Sequence, residues 1–156
     1  MTEKIAAFAA GCFWGVEASF LKVPGVIDTM VGYCGGEVKN PTYRLVCTHT
    51  TGHAEAVQVT YDPQKISYDA LVRLFFDLHD PTTPNRQGPD VGSQYRSVIF
   101  YHDEEQHQIA QRIKDELDQS GKYRYPIVTE VVPAQEFYKA EDYHQRYYAK
   151  HSIWRS

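Results

Sequence analysis

The sequence lacks a paired cysteine motif, a long apolar run and a concentration of basic charge. Its three cysteines, Cys12, Cys34 and Cys47, include no C-x-x-C pair, which is typical of a reducing compartment, so we expect a cytoplasmic protein without a disulfide framework. Only 16 Lys and Arg residues stand against 20 Asp and Glu, and nucleic acid is therefore not an expected partner. No segment approaches the roughly 18 apolar residues of a membrane span, so we expect no membrane partner.

The start of the chain allows a second interpretation, as a secretion signal. The apolar run 5–10 precedes a cysteine, which vaguely resembles a bacterial lipoprotein cleavage site. The run is shorter than the usual apolar core of about 7–15 residues, and an amphipathic stretch follows it instead of a polar tether. We therefore favour a folded start over a signal.

The order of apolar patterns predicts one domain over residues 1–156, because a chain of this length can bury a single core. Strands and helices alternate in a way that indicates an α+β fold: a two-layer sandwich of a mixed, mostly antiparallel sheet with packed helices and a ferredoxin-like core. The predicted strands are 5–10, 26–31, 54–61, 97–101 and 127–132; the predicted helices begin near 13, 67, 103 and 140, and 79–96 is a long loop.

Cys12 lies where the first strand gives way to the first helix, between Gly11 and Gly15. A thiol at a helix start faces free backbone N–H groups and the positive end of the helix dipole, which favours the nucleophilic thiolate. The alternative is that Cys12 is a small buried packing group, the commonest role of a free cysteine.

Glu55 belongs to an alternating strand in which it shares parity with Val57, Val59 and Tyr61. If this parity faces the core, the carboxyl group is buried, and loss of hydration raises its pKa toward neutrality, as a proton donor requires. The alternative is that the opposite parity is buried and Glu55 is solvated.

Two aromatic residues, Phe13 and Trp14, follow Cys12 directly. Successive helix positions are about 100° apart, so both rings cannot face the core fully. Beside an exposed thiol, an aromatic wall would bind a small apolar group such as a methyl. The alternative for Trp14 is an ordinary aromatic residue at the edge of the core.

A metal site is not expected, although Cys47, His49 and His53 follow one another closely. The intervening TTGH segment cannot hold the helix that would align the two histidines, and no paired cysteine motif supports a tetrahedral site. Core packing is the simplest role for Cys47.

Six motifs in order make the chain similar to the A-type peptide methionine sulfoxide reductases, and the resemblance covers nearly all of its length. They are GCFWGVE at 11–17, VGYCGG at 31–36, NPTYRLVC at 40–47, TGHAEAVQVTYDP at 51–63, HDPTTPNRQGPDVGSQYRS at 79–97 and AEDYHQRYY at 140–148. Six motifs in the same order do not coincide by chance, whereas GCFWG alone would be only a hint.

The resemblance implies a role for individual residues. Cys12 would attack the sulfoxide sulfur and become a sulfenic acid, and Glu55 would protonate the sulfoxide oxygen. Tyr43 and Tyr95 would donate hydrogen bonds to that oxygen. Only the resemblance selects these two tyrosines from the 12 in the chain.

The resemblance also implies the ligands. Phe13 and Trp14 would cage the S-methyl group, and Asp90 would hold the substrate backbone. The substrate would be methionine S-sulfoxide, free or in peptides and proteins. No bound cofactor is implied, only an external thiol reductant, thioredoxin or glutaredoxin, and we expect a monomer.

The chain departs from the family pattern in the residues that would return Cys12 from the sulfenic acid to the thiol. Many members use cysteines in a glycine-rich C-terminal tail, but this chain has no cysteine after Cys47. Cys34, in the turn GYCGG, is the candidate resolving thiol and would form a Cys12–Cys34 disulfide that thioredoxin reduces. The alternative is that Cys34 is inert and an external thiol reduces the sulfenic acid. Cys47 is expected to be structural.

Two other functions compete with the reductase. The first is a non-catalytic module that binds methionine-rich or oxidised segments through Phe13 and Trp14. The second is a thiol hydrolase that pairs Cys12 with a histidine such as His53, although no CGSCW-like motif occurs and the chain is short for that class.

Overall fold

A six-stranded sheet forms the centre of the computed structural model, which describes residues 3–151. The strands are β1 (Lys4–Ala10), β2 (Val26–Cys34), β3 (Ala54–Tyr61), β4 (Arg86–Gln87), β5 (Asp90–Val91), β6 (Ser97–Tyr101), β7 (Glu130–Pro133) and β8 (Tyr138–Lys139). The helices are α1 (Phe13–Leu21), α2 (Tyr43–Val46), α3 (Tyr68–Leu78), α4 (Glu104–Gln119) and α5 (Tyr147–His151). None of the helices within 3–151 is long and apolar enough to cross a membrane.

The strand order of the sheet is β7-β6-β1-β3-β2-β8, with β4 and β5 paired separately as a small hairpin. β3 runs antiparallel to both β1 and β2, β1 runs antiparallel to β6, and β7 alone joins its neighbour in parallel. The inner strands β6-β1-β3-β2, with α1 and α3 as crossovers, have the ferredoxin-like arrangement. The predicted α+β fold is therefore confirmed.

One face of the sheet carries the helices and the larger core. Phe8 of β1 stacks between Phe20 of α1 and Phe75 of α3, with ring centroids 5.2 and 5.3 Å away. Three helices, α1, α3 and α4, begin where the sequence predicts. At the start of α3, Ser67 Oγ accepts the Ala70 N–H at 3.0 Å. Asp103 caps α4 in the same way.

The other face of the sheet carries a thinner layer of small side chains. Its buried members are Ala7, Ala9, Cys34, Ala54, Ala56, Val98 and Phe100, and Phe137 packs against them. At Gly32 a side chain would collide with the backbone of Tyr138, so a glycine lets β8 approach β2 closely. The short segment 134–137, which precedes β8, packs on this face of the sheet where the other face has helices.

The C-terminal segment differs most from the prediction of a helix over 140–150. The structure has a 3-10 turn at Asp142–His144 and then α5, separated by Arg146 in a left-handed conformation with φ +52°. The Arg146 N–H donates to the buried Glu17 carboxylate of α1 at 2.7 Å, which holds the break in place.

The remaining differences are local. β7 begins at residue 130 instead of 127, and α2 and β8 were not predicted. The loop 79–96 contains the β4–β5 hairpin and a 3-10 turn at Ser93–Tyr95, but no helix or central strand, as its prolines and glycines indicate.

Candidate active site

Cys12 caps the N-terminus of α1 directly after β1, as the sequence predicts. The turn depends on Gly11, whose φ of +98° is unfavourable for other residues and whose Cα faces Gln87 so closely that a Cβ would lie 2.9 Å from it. The Cys12 side chain is half-buried. The thiol is therefore held at a helix start and is still open to a substrate.

The structure contradicts the predicted preference of Cys12 for the thiolate. Burial raises the pKa of the Cys12 thiol to about 11, and the carboxylates of Glu55 and Asp90 raise it further. The backbone N–H groups of Trp14 and Gly15 lower the pKa, as the helix start should, but not enough to offset burial. Cys12 is thus a thiol at neutral pH.

Glu55 lies on β3 with its side chain inward, as its parity predicts, and is only 2% exposed. Its carboxyl accepts the Phe13 N–H at 3.2 Å, which places it at the N-terminus of α1 beside Cys12. Burial raises the pKa of Glu55 to about 8; the Phe13 bond opposes this rise and the Asp90 charge adds to it. Both parities of β3 are buried, so Ala54 and Ala56 pack on the other face without displacing Glu55.

Two tyrosines and an aspartate approach the same point from three separate elements. Tyr43 begins α2, Tyr95 ends the 3-10 turn, and Asp90 begins β5. Burial, followed by the charges of Glu55, Cys47, Asp90 and Cys12, raises the pKa of Tyr95 to about 12. Burial and the Cys47 thiol likewise raise the pKa of Tyr43. Both hydroxyls therefore keep their protons and can donate hydrogen bonds.

The two aromatic residues after Cys12 have different surroundings. Phe13 belongs to the core and is 1% exposed, with its ring 5.8 Å from that of Tyr33. Trp14 is only partly buried and stacks on Tyr147 at 3.9 Å. Trp14 is therefore the ring of this pair that has exposed surface to offer a ligand.

His144 is a site residue that sequence reasoning missed. It is 1% exposed, its ring lies 5.1 Å from Phe13 and 4.5 Å from Tyr43, and its Nδ1 accepts the Trp14 Nε1–H at 3.0 Å. Burial lowers the pKa of His144, so its ring is neutral and the proton is on Nε2, a buried atom without a hydrogen-bond partner in residues 3–151. Its segment is not a regular helix, so no periodicity marked it.

Glu141 holds the same segment against the site. Its carboxylate accepts the Tyr33 hydroxyl at 2.9 Å and the Tyr43 N–H at 3.0 Å, so it joins β2, the start of α2 and the turn that carries His144. Despite partial burial, these bonds keep the pKa of Glu141 below its usual range. The only sequence signal was its place in the motif AEDYHQRYY.

Cys34 is not brought to the site. It is the last residue of β2, not part of a free turn, and it pairs with Ala54 on the face of the sheet away from Glu55. Its side chain is 1% exposed and its Sγ contacts the Gln135 carbonyl oxygen at 3.8 Å. Burial raises the pKa of this thiol as well. A bond from Cys34 to Cys12 would require the end of β2 to leave the sheet.

His53 is occupied by structural bonds. Its Nδ1 accepts the Gly36 N–H at 3.0 Å and its Nε2 donates to the Val38 carbonyl oxygen at 2.6 Å, which anchors the turn after β2. Neither nitrogen is left to act as a base for Cys12 or as a metal ligand. Across the described residues no three His, Cys, Asp or Glu side chains converge in a possible metal site.

The site has the parts of a thiol enzyme that works with an acid. These parts are a half-buried thiol, a protonated carboxylic acid and a wall of aromatic rings.

A family model described as peptide methionine sulfoxide reductase matches residues 4–155. Peptide methionine sulfoxide reductase MsrA of Methanoculleus marisnigri is 64% identical over 145 residues, which cover 93% of this chain and 88% of that protein.

Solved structures show the same similarity. Mxr1 from Saccharomyces cerevisiae in reduced form is 39% identical with a TM-score of 0.91, over 96% of this chain and 86% of that one. Mxr1 in complex with Trx2 is 30% identical with a TM-score of 0.66, over 93% and 84%. The chain belongs to the peptide methionine sulfoxide reductase family. It is accordingly an oxidoreductase that uses thiols to reduce methionine sulfoxide.

Proposed function

We propose that this site reduces the S epimer of methionine sulfoxide, with Cys12 as nucleophile and Glu55 as acid. The observation that carries the proposal is the carboxyl group of Glu55, which is buried beside the nucleophile, bonded to the Phe13 N–H, and protonated up to a pH of about 8. A sulfoxide oxygen leaves poorly unless it is protonated, and an acid that keeps its proton at neutral pH meets that need.

The reaction begins from a site in which both groups carry protons. The Cys12 sulfur bonds to the sulfoxide sulfur while Glu55 gives its proton to the oxygen. The oxygen then passes to Cys12, methionine leaves, and Cys12 becomes a sulfenic acid. The former thiol proton restores Glu55, so the substrate sulfur gains two electrons, the Cys12 sulfur loses two, and no proton is consumed.

The neighbouring side chains bind and orient the sulfoxide. The hydroxyls of Tyr43 and Tyr95 keep their protons and donate hydrogen bonds to the oxygen. Trp14, backed by Phe13, supplies the apolar surface for the S-methyl group. Asp90 accepts hydrogen bonds from the substrate backbone, which suits free methionine sulfoxide and also the residue in peptides and proteins.

The cellular setting follows from the same chemistry. A thioredoxin-type protein, or glutaredoxin, returns the enzyme to its thiol state, and the complex of the relative Mxr1 with Trx2 supports a partner of this kind. We infer a single reductase domain over residues 1–156 that acts as a monomer in the cytoplasm, where thiols are kept reduced.

A stereochemical assay tests this function. The purified chain is incubated with racemic N-acetyl methionine sulfoxide and dithiothreitol, and the two epimers are separated. We expect consumption of half of the substrate, with the R epimer left, and none with Cys12→Ser. Binding of the sulfoxide by the wild type without any consumption would favour the binding module, and full activity of Cys12→Ser would contradict the mechanism.

A further inference from the structure

The other two cysteines, Cys34 and Cys47, differ in their placement relative to Cys12. Cys34 is inside the sheet and faces the wrong side, as described above. Cys47 directly follows α2, and its side chain is half-buried, not enclosed. The exposed residues 48–50 come next, so Cys47 lies where the site opens to solvent.

Cys47 shares the site with Tyr43. The two residues are four apart and the Cys47 N–H donates to the Tyr43 carbonyl oxygen at 3.0 Å, so their side chains lie on one side of the helical turn. The Cys47 thiol contacts the Tyr43 hydroxyl, and the Tyr43 ring packs on His144, which also contacts Phe13. This path of contacts leads to the residue adjacent to Cys12.

The electrostatic surroundings agree with that placement. Burial raises the pKa of the Cys47 thiol, the charges of Glu55 and Glu141 raise it further, and the Tyr43 hydroxyl lowers it by bonding to the ionised sulfur. The Cys47 charge in turn raises the pKa of Tyr95. Cys47 and Cys12 therefore share two neighbours, Glu55 and Tyr95.

We propose that Cys47 is the resolving cysteine and forms a Cys12–Cys47 disulfide after each turnover. This proposal rests on the role of Cys12 proposed above. The Cys47 sulfur bonds to the Cys12 sulfur, the S–O bond of the sulfenic acid breaks, and the oxygen leaves as water with the Cys47 thiol proton. A thioredoxin-type dithiol then supplies two electrons and two protons, which restore both thiols.

The segment that carries Cys47 is held less firmly than the strand that carries Cys34. A disulfide needs the two Cα atoms within about 4.4–6.8 Å, so one partner must shift if the thiols start farther apart. α2 is a single turn, which is only marginally stable by itself. In its capping bond, which is exposed, the Leu45 N–H donates to Thr42 Oγ1. Cys34, by contrast, is paired with Ala54 at the end of the β2–β3 ladder and is packed in a buried layer, so it could move only by breaking that pair and leaving the layer.

The sequence makes the disulfide easy to map. Trypsin places the cysteines in three separate peptides, 5–22 with Cys12, 23–39 with Cys34 and 45–65 with Cys47. The enzyme is mixed with excess racemic N-acetyl methionine sulfoxide and no reductant, and methionine formed, free thiols and linked peptides are measured for the wild type, Cys34→Ala and Cys47→Ser.

We expect one methionine product per chain in all three proteins. The wild type should lose two thiols and link peptide 5–22 to 45–65, and Cys34→Ala should do the same. Cys47→Ser should lose one thiol and keep a sulfenic acid on Cys12 that dimedone traps. A link between 5–22 and 23–39, or a persistent sulfenic acid in the wild type, would overturn the proposal. Absence of any methionine product would instead overturn the function of the site.

Discussion

Two neighbouring residue pairs of the β2–β3 ladder have opposite surroundings. Tyr33 and Glu55 are partners on the face covered by helices, and Cys34 and Ala54, one step along, are partners on the face covered by segment 134–137. Successive strand residues point to opposite faces, so a shift of one residue separates a proton donor from a packing group. The comparison shows that nearness in sequence to the site says little about access to it.

Burial affects both faces but with different consequences. On the helical face it raises the pKa of Glu55 to about 8, and the acid form that results is the form the reaction needs. On the other face it raises the pKa of Cys34, which leaves an unreactive thiol against the Gln135 carbonyl. The same loss of hydration therefore keeps Glu55 in the acid form that the reaction needs and makes the Cys34 thiol unreactive.

Among substitutions at the two residue pairs compared above, the largest effect is expected on the helical face, from Glu55→Gln. Glutamine keeps the size of the side chain and can still accept the Phe13 N–H, but it cannot give a proton to the sulfoxide oxygen. We expect the single-turnover rate to fall by about 10²- to 10⁴-fold, the usual contribution of an acid catalyst.

A matched control comes from Glu136→Gln, at an exposed glutamate beside the other face. Its rate should equal that of the wild type. If rapid-quench measurements gave Glu55→Gln the same rate as this control, Glu55 would not be the acid.

The smallest effect is expected on the other face, from Cys34→Ala. Removal of the buried sulfur leaves a small cavity, and we expect the free energy of unfolding to fall by about 1 kcal/mol in urea titrations. The single-turnover rate should not change, because the thiol does not reach the site. A loss of activity larger than the loss of stability explains would show that the two faces are coupled.

The sequence predicts what depends on local pattern. The alternating pattern of β3 predicted that Glu55 points inward. Ser67 and Asp103 predicted the starts of α3 and α4, which they cap. It could not predict features that depend on tertiary contacts. The last segment is a broken helix because the buried Glu17 binds the Arg146 N–H, a contact between residues far apart in the chain.

Two properties of the cysteines could not be predicted from the sequence, because they too depend on tertiary contacts. The helix start does favour the Cys12 thiolate, but burial outweighs it, and burial is set by the packing of distant segments. The place of Cys34 beside two glycines indicated a mobile turn, whereas strand pairing extends through Cys34. The four-residue spacing of Tyr43 and Cys47 was the signal that could have placed Cys47 at the site.

The central claim is that the reaction starts from a site in which both Glu55 and Cys12 are protonated, and the pH dependence of the single-turnover rate tests it most directly. Glu55 has a raised pKa of about 8, so its acid form is present below that pH and is lost above it. The wild-type rate should be level near neutral pH and fall as the pH rises through about 8, and the fall should be absent in Glu55→Gln. A wild-type rate that instead rises through pH 8, as ionisation of the Cys12 thiol would cause, would contradict the account.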